Sequence, residues 1–557
     1  MARGDRALSI IPLGGVGEIG KNMFVYEYDE DLILVDAGVM FPDDDMLGID
    51  LVIPDISYLK ENRDRLRGVF LTHGHEDHIG AVPYVLREIP EVPIYGTRLT
   101  LGLLESKLME FGMAEDATLI CVQAGDQVQV GSWFTVEFIH VNHSIPDVVA
   151  IAVTTPEGVV IHCSDFKFDQ TPIDGKVADY HRLAELGKEG VLAVLSDSTN
   201  AERPGYTLSE RALTETFNDI FRKAEGRVLV ATFASNVHRI QQVIDASIKF
   251  DRKIGLVGRS MVNVVTIAKN LGYLNLPEEI LIDIGEVDDY PPQQLTIITT
   301  GSQGEPMSAL TRMAMSNHRQ LEIYPGDTVV VSANPIPGNE KMIGRTIDYL
   351  FRQGAEVIYH SVSGVHVSGH ASQEELKLLL NLCRPKYFFP IHGEHRMLFT
   401  HARLGMSVGI PPDNIVIMDK GEVWQIKDGV LQKAGQVKCD PVYVDGLGVG
   451  DVGNIVLRDR QQLSQDGILV VVVTIDRQTG TVVAGPDIIT RGFVYVRESE
   501  KFLEEIQQRA TDIMQRCTLN GILEWGPIKE EIRSDLSQYL YGRIKRRPMI
   551  LPIIMEV

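Results

Sequence analysis

The chain has 557 residues, which is too many for one hydrophobic core, so roughly two to four domains of ordinary size are expected. A formal net charge of −23 argues against a broadly basic polyanion-binding protein, and a nucleic-acid partner would need local positive charge. Five scattered cysteines, no secretory leader and no apolar run near the ~20 residues of a membrane span predict a cytoplasmic protein with reduced thiols and no membrane segment.

Two blocks of short strands are predicted in the first part of the chain. Residues 1–40 have the alternation and turns of β-hairpins. Residues 127–166 add further strands, with Gly or Pro turns between them. This much β-structure with few helices predicts one face of a sandwich.

The pattern changes from about residue 208, where apolar strands alternate with helices that we predict at 235–249 and 260–271. Such alternation is typical of a parallel sheet with crossover helices. After residue 363, histidine-bearing segments and strands return. We therefore expect one β-rich domain that is interrupted by an α/β insertion.

The tail, from about residue 455, contains a predicted β-hairpin, two amphipathic helices at 499–518 and 526–544, and a final strand, PMILPIIMEV. This pattern predicts a small α/β domain. Its apolar strands and amphipathic helices favour an assembly surface, although the same surfaces would also serve a domain that packs on its own chain.

A glycine-rich turn at 14–20, GGVGEIG, contains a formal G-x-G-x-x-G pattern, and Asp36 lies about where the ribose-binding acid of a dinucleotide fold would fall. That fold requires a helix after the glycines to hold the pyrophosphate. The residues that follow, NMFVYEY, predict a strand instead. We therefore interpret the glycines as a tight hairpin, whose backbone could also line an active site.

The strongest chemical signal is THGHEDHIG, which places His73, His75, Asp77 and His78 within six positions, after an apolar strand and before a helix. The ordinary alternative is a solvated polar turn. Four ligand-type residues this close favour a metal site. His73 and His75 can turn toward one ion and the other two toward a second ion.

Further ligands stand at the ends of apolar strands: His143 in VNHSIPD, Asp165 in IHCSDFKFD and His392 in KYFFPIHGEH. Taken singly, each could be a hydrogen-bonded loop residue or a helix cap. Together they complete two sites, one of His73, His75 and His143, the other of Asp77, His78 and His392, with Asp165 bridging them. Paired ions ~3.5–4 Å apart activate water near neutral pH and hold both oxygens of a phosphoryl displacement.

The order H-x-H-x-D-H, His, Asp, His resembles the metallo-β-lactamase fold, whose members hydrolyse lactams, thioesters and phosphodiesters. The insertion resembles the β-CASP domain of nucleic-acid-processing members, with its motif positions at Asp197, His370 and His392. The strings SDSTNAERPG, ATFASNVHRI, GSQGEP, SANPIPGNE and HVSGHAS resemble the bacterial ribonuclease J family, and the resemblance spans the whole chain. One minor departure is Cys163-Ser164, where Thr and Gly are expected.

The resemblance implies an α/β fold: a metallo-β-lactamase αβ/βα sandwich interrupted by a parallel α/β β-CASP domain, plus a small C-terminal α/β domain. The expected boundaries are 1–207 for the first part of the sandwich, 208–362 for the β-CASP domain, 363–450 for the second part with a linker, and 451–557 for the C-terminal domain.

The resemblance also implies hydrolysis of RNA phosphodiesters, in the 5′-to-3′ direction from 5′-monophosphate ends and with endonuclease activity, in RNA maturation and decay. Asp77 would also orient the attacking group. His370 is the candidate general acid, since imidazole can be protonated near pH 7, and its alternative role is to orient a ligand. Asp197 would support His392 or another ligand, and its alternative is a turn cap.

A pocket for the 5′-monophosphate of the RNA is implied at Ser235, His366, Ser368 and Gly369, because hydroxyls with backbone N–H groups bind anions. The alternative is that these serines and glycine only shape loops. Positive charge also occurs locally, but we assign no RNA contact to Lys167, Arg239, Arg259, Arg396 or the run at 543–547.

The expected cofactors are two divalent ions, with Zn²⁺ favoured and Mn²⁺ compatible with the same ligands. The expected partners are single-stranded RNA, a second copy in a homodimer or homotetramer through the C-terminal domain, and RNA-decay proteins. Three other functions stay open: a β-CASP nuclease for single-stranded DNA, a small-ester hydrolase of the same fold, and a non-catalytic RNA-binding scaffold.

Overall fold

A computed structural model describes residues 6–43, 45–303, 308–333, 339–359, 364–477, 481–493, 500–522 and 524–557. The chain divides into two compact units, one of Met1–Phe41 and Leu51–Val442, the other of Pro42–Asp50 and Tyr443–Val557. Parts of the motifs GSQGEP and SANPIPGNE, and the expected boundary at 362, lie outside the described residues.

The first unit begins with strands and short helices. The strands are β1 (Leu8–Gly14), β2 (Met23–Tyr28), β3 (Asp31–Val35), β4 (Leu51–Ile53), β5 (Leu66–Phe70), β6 (Ile94–Gly96), β7 (Leu119–Cys121), β8 (Gln127–Val130), β9 (Phe134–His140), β10 (Val149–Thr155), β11 (Gly158–Cys163) and β12 (Val191–Asp197). The helices are α1 (Ser57–Glu61), α2 (Glu76–Ile79), α3 (Val82–Glu88), α4 (Arg98–Glu110) and α5 (Tyr180–Glu189). The strands predicted within 1–40 and 127–166 are present.

The insertion forms a separate sheet within this unit. Its strands are β13 (Val228–Ala231), β14 (Lys253–Val257), β15 (Leu281–Ile282), β16 (Leu295–Thr299), β17 (Thr328–Val331) and β18 (Glu356–Tyr359). Its helices are α6 (Ala212–Lys223), α7 (Val237–Lys249), α8 (Arg259–Asn270), α9 (Ala309–Ala314) and α10 (Glu340–Arg352). Every described pairing in this sheet is parallel, in the order β15-β14-β16-β13-β17-β18, as the alternation of strands and helices predicts.

After the insertion, the chain returns to the two sheets that contain β1–β3 with β5–β7 and β8–β12. The returning elements are α11 (Gln373–Cys383), β19 (Tyr387–Ile391), α12 (His395–Ser407), β20 (Glu422–Lys427) and β21 (Val430–Gln436). Strand β19 pairs with β12, and β20 pairs with β1, so the segment after the insertion completes both sheets.

The two sheets have the orders β21-β20-β1-β2-β3-β5-β6-β7 and β19-β12-β11-β10-β9-β8. One buried core joins them, with Phe24 and Phe70 from the first sheet and Phe138, Ile151 and Phe389 from the second. Helices α5, α11 and α12 pack on β12 and β19 of the second sheet, and α4 packs on β6 and β7 of the first. This is the expected αβ/βα sandwich with an inserted parallel domain.

The second unit contains a three-stranded sheet covered by helices and, separately, two short strands that pair with each other. Its elements are β22 (Val442–Asp445), β23 (Gly448–Val449), α13 (Asn454–Asp466), β24 (Ile468–Ile475), β25 (Val482–Arg491), α14 (Glu500–Leu519), α15 (Trp525–Ile544) and β26 (Met549–Glu556). Strand β24 pairs antiparallel with β25 and parallel with β26. Helix α13 was not predicted, because none of its side chains is buried and its sequence has no apolar face.

Among the described helices, none combines the length and the apolar character that a bilayer crossing requires.

Candidate metal centre

The candidate site lies where parallel strands end. Strands β11, β12 and β19 run parallel to one another, so their carboxyl ends meet at one edge of the second sheet. Asp165 follows β11, Asp197 is the last residue of β12, and His392 follows β19. Each apolar strand is held in the core, and the polar residue at its tip is therefore fixed at the edge.

The H-x-H-x-D-H motif, residues 73–78, reaches the same place from the first sheet. His73 follows β5, His75 precedes the short helix α2, and Asp77 and His78 lie within it. His73 and His78 are fully buried, whereas the Asp77 side chain is 30% exposed. The motif thus places three imidazoles and a carboxylate beside the tips of the second sheet.

The first ligand group contains His73, His75, His143 and Asp165. His75 Nδ1 lies 3.0 Å from His73 Nε2 and 3.2 Å from His143 Nε2. Asp165 Oδ2 lies 3.7 Å from His73 Nε2 and 3.6 Å from His143 Nε2. In a tetrahedral zinc site with ligands at about 2.0–2.1 Å, neighbouring ligand atoms lie about 3.3–3.4 Å apart. The observed spacing matches that of ligands around one ion.

The second ligand group contains Asp77, His78, Asp165 and His392. His78 Nε2 lies 3.4 Å from Asp165 Oδ1 and 3.5 Å from Asp77 Oδ2. His392 Nε2 lies 3.5 Å from the same Asp77 oxygen. Asp165 therefore offers one oxygen to each group, as a carboxylate between two ions would.

Hydrogen bonds on the far side of the rings set their tautomers. His143 Nδ1 donates to the main-chain oxygen of Gly369 at 2.7 Å, and His78 Nδ1 lies 2.8 Å from Asp36 Oδ2. A carbonyl or carboxylate oxygen only accepts, so each Nδ1 carries a proton and Nε2 is the nitrogen left to face an ion. Such outer hydrogen bonds orient histidine ligands in metal sites.

His392 Nε2 in the second group is buried and forms no hydrogen bond among the described residues, while His392 Nδ1 lies 2.6 Å from Asp165 Oδ1. Unpaired polar atoms at depth are rare unless an ion or water satisfies them. Histidines with a few carboxylates are a donor set that Zn²⁺ and Mn²⁺ both accept. The residues therefore fit a pair of divalent cations.

The electrostatics differ between the two groups. Burial lowers the pKa of His73 and His143 well below the ordinary value, and lowers the pKa of His75 to about 4. These rings are neutral, which is the form that binds a metal.

In the second group, burial also opposes the charged form of His78 and His392. Their carboxylate neighbours, Asp165 first, nevertheless raise both pKa values well above the ordinary value. The second group thus lies in a negative field that a cation neutralises.

His370 and Asp197 form a pair beside these two groups and, with Asp165 and His392, make up a third set of side chains whose ligand-type atoms lie close together. His370 Nδ1 lies 2.8 Å from Asp197 Oδ2 and 3.9 Å from Asp165 Oδ2. Burial disfavours the charged form of His370, but Asp197 and Asp165 raise its pKa above the ordinary value. The His370 side chain is 21% exposed and the Asp197 side chain only 1%, so the imidazole is the member that a substrate can reach.

Asp197 also lies near a ligand, with Oδ1 3.6 Å from His392 Nδ1. His392 itself has a left-handed backbone with a φ of 48°, which a non-glycine residue adopts only when its surroundings hold it. Its N–H donates to Gly15 O at 2.6 Å, and Thr199 Oγ1 donates to its carbonyl at 3.2 Å. The glycine-rich hairpin between β1 and β2 therefore lines the site through its backbone.

The residues expected to bind phosphate lie on two neighbouring segments. His366, Ser368 and Gly369 belong to the loop before α11, and Ser235 lies in the turn before α7. Arg239 of α7 joins the two segments, because its guanidinium donates to the carbonyl oxygens of Val365 and Val367 at 3.5 and 3.4 Å.

Ser368 and Gly369 in this loop each accept a hydrogen bond from a residue outside it. Ser368 Oγ accepts a hydrogen bond from Asn200 Nδ2 at 2.8 Å, and the Gly369 carbonyl is bound by His143. The side chains of Lys167 and Arg239, two of the basic residues to which we assign no RNA contact from the sequence, are 1% and 0% exposed. Their burial keeps them away from an RNA strand.

Two residues that orient the ligands, Asp36 and Asn22, were not predicted from the sequence. Asp36 accepts from the backbone and hydroxyl of Thr72 and binds His78, and Asn22 Nδ2 donates to the main-chain oxygen of Asp77 at 3.1 Å. The available signal for Asp36 was its place at the end of an apolar strand. Its spacing from the glycines, however, matches that of the ribose-binding acid in a dinucleotide fold, so the sequence alone does not indicate its contact with His78.

Four family models match the chain in order. They are "Metallo-beta-lactamase superfamily" over residues 16–204, "Ribonuclease J, beta-CASP domain" over 225–350, "Zn-dependent metallo-hydrolase RNA specificity domain" over 354–415 and "Ribonuclease J C-terminal domain" over 455–557. The first and third of these models contain all seven residues of the two ligand groups.

Curated relatives match over nearly the whole chain. Ribonuclease J2 of Bacillus subtilis (strain 168) is 48% identical over 548 residues, which are 98% of each protein. Ribonuclease J of Synechocystis sp. is 45% identical over 555 residues, which are 98% of this chain and 86% of the relative. A solved structure of a protein of unknown function from Enterococcus faecalis V583 aligns with 77% of this chain and 100% of its own, with a TM-score of 0.52 and 16% identity, which supports the fold alone. The chain belongs to the ribonuclease J family, a family of metal-dependent nucleases that combine a metallo-β-lactamase domain with a β-CASP domain.

Proposed function

We propose that this protein hydrolyses single-stranded RNA from the 5′ end, with a preference for 5′-monophosphate ends and with additional endonuclease activity. The observation that supports this best is the sharing of Asp165 by two ligand groups, in a chain of the ribonuclease J family. The model described as an RNA specificity domain covers His370 and His392, which belong to the same edge.

The residues that would hold the cations are His73, His75 and His143 on one side, and Asp77, His78 and His392 on the other, with Asp165 between. A pair of divalent cations supplies an activated water and neutralises charge that develops on the phosphoryl oxygens. We propose Zn²⁺ as the resident metal, since the ligands are mostly imidazoles. The Asp77 side chain, 30% exposed, reaches the open side of the site, where it orients the attacking group.

His370 is proposed as the general acid that protonates the leaving 3′-oxygen. Asp197 holds its Nδ1, so the proton on Nε2 faces the substrate side. Among the described residues, no hydrogen bond occupies that Nε2. The carboxylate keeps the ring in the correct tautomer and stabilises its charged form. Asp197 is therefore proposed as a positioning residue rather than as an acid.

The segment after the insertion is proposed to bind the 5′-monophosphate through Ser368, Gly369, His366 and, from the turn before α7, Ser235. Hydroxyls and main-chain N–H groups on adjacent loops suit a phosphate. Because this segment also carries His370, a bound 5′-phosphate would lie at a fixed distance from the general acid. The enzyme would then cut one nucleotide inward from the 5′ end.

The test is digestion of one single-stranded RNA with either a 5′-monophosphate or a 5′-triphosphate, in Zn²⁺ and in Mn²⁺. Wild type is expected to release mononucleotides from the monophosphate end. His75→Ala should release none, because it removes a ligand of the first group, whereas His181→Ala, an exposed histidine on α5, should match wild type.

A DNA strand of the same sequence and a set of small thioesters and lactones complete the test. Faster cleavage of DNA would favour the nuclease for single-stranded DNA, and turnover of small esters alone would favour the small-ester hydrolase. If wild type degrades none of the RNAs in either metal, the proposed function is wrong.

We also propose that the C-terminal domain assembles the protein into a homodimer or homotetramer. One face of β26 carries Leu551, Ile553 and Met555, which are 45%, 39% and 48% exposed, while Ile550 and Ile554 face the core. An apolar sheet face of this kind is typical of a protein interface. Ile553→Lys should lower the molar mass measured by light scattering; an unchanged mass would contradict the proposal.

A further inference from the structure

Tyr206 is a large aromatic side chain with 66% of its surface exposed, in the segment that joins β12 to α6. Among the described residues its hydroxyl forms no hydrogen bond, and its ring has no aromatic or cationic partner. An isolated exposed apolar residue is ordinary on a protein surface. What distinguishes Tyr206 is the backbone that carries it.

The segment that carries Tyr206 contacts the main chain of His370, the proposed general acid, at two points, Asn200 and Thr207. Thr207 Oγ1 donates to the main-chain oxygen of His370 at 2.7 Å, and Asn200 Nδ2 donates to the same oxygen at 2.9 Å. Tyr206 therefore lies between two residues that are tied to His370. The backbone of this segment therefore lies next to the main chain of His370.

The backbone around Tyr206 is also fixed by the start of α11. Gly205 O accepts from Glu374 N at 3.0 Å, and Thr207 N donates to Glu375 Oε2 at 2.6 Å. Glu375 is fully buried, so this anchor does not depend on a mobile surface side chain. The protein thus holds the main chain on both sides of Tyr206 while leaving its ring in solvent.

A rigidly held, exposed tyrosine is an economical binding group, because few side-chain rotations are lost when it makes contact. Every nucleobase offers a π-face, so aromatic stacking binds single strands without sequence preference. The chain has a net charge of −23, so attraction to phosphates over a broad basic surface is not available to it. Stacking supplies affinity that does not depend on that charge.

We propose that the Tyr206 ring stacks on a nucleobase of the RNA strand bound at the metal centre, and so fixes the strand relative to His370. The inference rests on the proposed function and adds a contact to the base rather than to the phosphate. Neither the metal ligands nor the expected phosphate-binding residues supply such a contact.

The test is single-turnover digestion of a 5′-monophosphorylated RNA over a range of enzyme concentrations, which separates the half-saturating concentration from the maximal rate. Removing an aromatic that stacks on one base weakens binding about 5- to 150-fold. Tyr206→Ala should raise the half-saturating concentration by that factor. Tyr206→Phe keeps the ring and should stay within about twofold of wild type, since stacking does not require the hydroxyl.

A matched control is Phe351→Ala, which removes a ring that is 50% exposed on α10, a helix that packs on α9 and β18. It should leave both kinetic values unchanged. Thermal unfolding of each variant verifies folding, and an exposed tyrosine is expected to contribute within about 0.5 kcal/mol to stability.

A second series uses RNAs with one abasic nucleotide at successive positions. At the position that stacks, removal of the base should weaken binding to wild type but cause no further loss in Tyr206→Ala. Equal affinities of wild type and Tyr206→Ala for intact RNA, or additive losses at every position, would overturn the inference. If the wild-type protein degrades RNA and the Tyr206 variants behave like it, only the stacking contact is wrong. If the wild-type protein neither binds nor degrades RNA, the proposed function is wrong as well.

Discussion

His143 Nδ1 donates a 2.7 Å hydrogen bond to the main-chain oxygen of Gly369, across 226 positions of sequence. The bond ties a ligand from the first part of the sandwich to the segment that follows the insertion. That segment also carries His370. Orientation of a candidate metal ligand and position of the proposed general acid therefore depend on the same short loop.

Gly369→Ala should weaken metal binding. A Cβ at this position would lie 2.6 Å from His143 Cε1 and 3.0 Å from Ser144 N, so the imidazole or the loop must shift. Losing the outer partner of a histidine ligand typically costs about 10- to 100-fold in metal affinity. Competition with a chromophoric chelator measures this affinity. Gly344→Ala, where a Cβ meets nothing within 4 Å, is the control and should bind metal as wild type does.

Asp36→Asn should reduce occupancy of the second ligand group. The carboxylate binds His78 Nδ1 at 2.8 Å and accepts two hydrogen bonds from Thr72. An amide can present an N–H to His78 and favour the wrong tautomer. Elemental analysis after desalting should find fewer metal ions per chain than in wild type. Asp55→Asn, at a buried aspartate that accepts from Ser57 N, should retain the wild-type ratio; the same loss in both variants would contradict the role of Asp36.

The contrast between Asp36 and Asp165 shows what the sequence can and cannot predict. Asp165, His143 and His392 were found because each follows an apolar strand that the core holds, and parallel strands end at one edge. Asp36 has the same local signal, but its distance from the glycine motif suggested another function. The Gly369 carbonyl gives no signal at all, since any residue has a carbonyl and only the fold brings it to His143.

The architecture was predictable for the same reason. Helices and strands with clear apolar periodicity, such as α7, α8 and β26, were predicted nearly to their ends, because burial of one face decides their structure. Helix α13 was missed because it buries no side chain. Contacts that join distant segments, including Thr207 to His370, depend on tertiary packing that periodicity does not encode.

Arg239→Met should destabilise the first unit. The Arg239 guanidinium is fully buried, binds both oxygens of Glu210, and donates to Ser332 Oγ at 2.7 Å. Breaking a buried ion pair by removing one partner costs about 3–5 kcal/mol, because the other charge stays buried. Urea unfolding measures the loss.

The readout for Arg239 can be confined to the first unit. Two of the three tryptophans, Trp133 and Trp424, belong to it, so a Trp525→Phe background reports that unit alone. The double variant Arg239→Met with Glu210→Gln should recover part of the stability. If Arg239→Met alone unfolds at the wild-type urea concentration, the ion pair is not a structural anchor.

Removal of the metal should destabilise the protein, and its return should restore stability. Without cations, the carboxylates of Asp77 and Asp165 lie close enough to repel each other, and this repulsion is opposed by the neighbouring His78 and His392. A ligand that binds only the folded state at a concentration of 100 Kd stabilises it by about 2.7 kcal/mol. Thermal unfolding in EDTA, Zn²⁺ and Mn²⁺ should therefore show a higher midpoint with metal. His75→Ala should show a smaller rise, and an equal rise would place the bound metal elsewhere.

Acid should destabilise the metal-free protein through His401. Burial lowers the pKa of this side chain to about 3, although Asp197 partly opposes the shift. The imidazole ring packs edge-on against the Phe388 ring, with 4.8 Å between the ring centroids, and its Nδ1 lies 3.0 Å from Ser198 Oγ. Its ordinary pKa near 6.5 applies in the unfolded chain, so between pH 6.5 and about 3 the unfolded state binds one proton that the folded state does not.

The sign and slope follow from that difference. The contribution of His401 to the free energy of unfolding is fully present above pH 6.5 and falls by about 1.4 kcal/mol for each pH unit below it. His401→Phe and His401→Gln both remove the titration. The free energy of unfolding can be measured with urea in the presence of EDTA at pH 7.5, 6 and 5. It should change less with pH in both variants than in the wild-type protein, even though the two variants differ in stability at pH 7.5. Only a lost titration gives two differently packed variants the same slope, and parallel curves for all three proteins would show that His401 is protonated in the folded state.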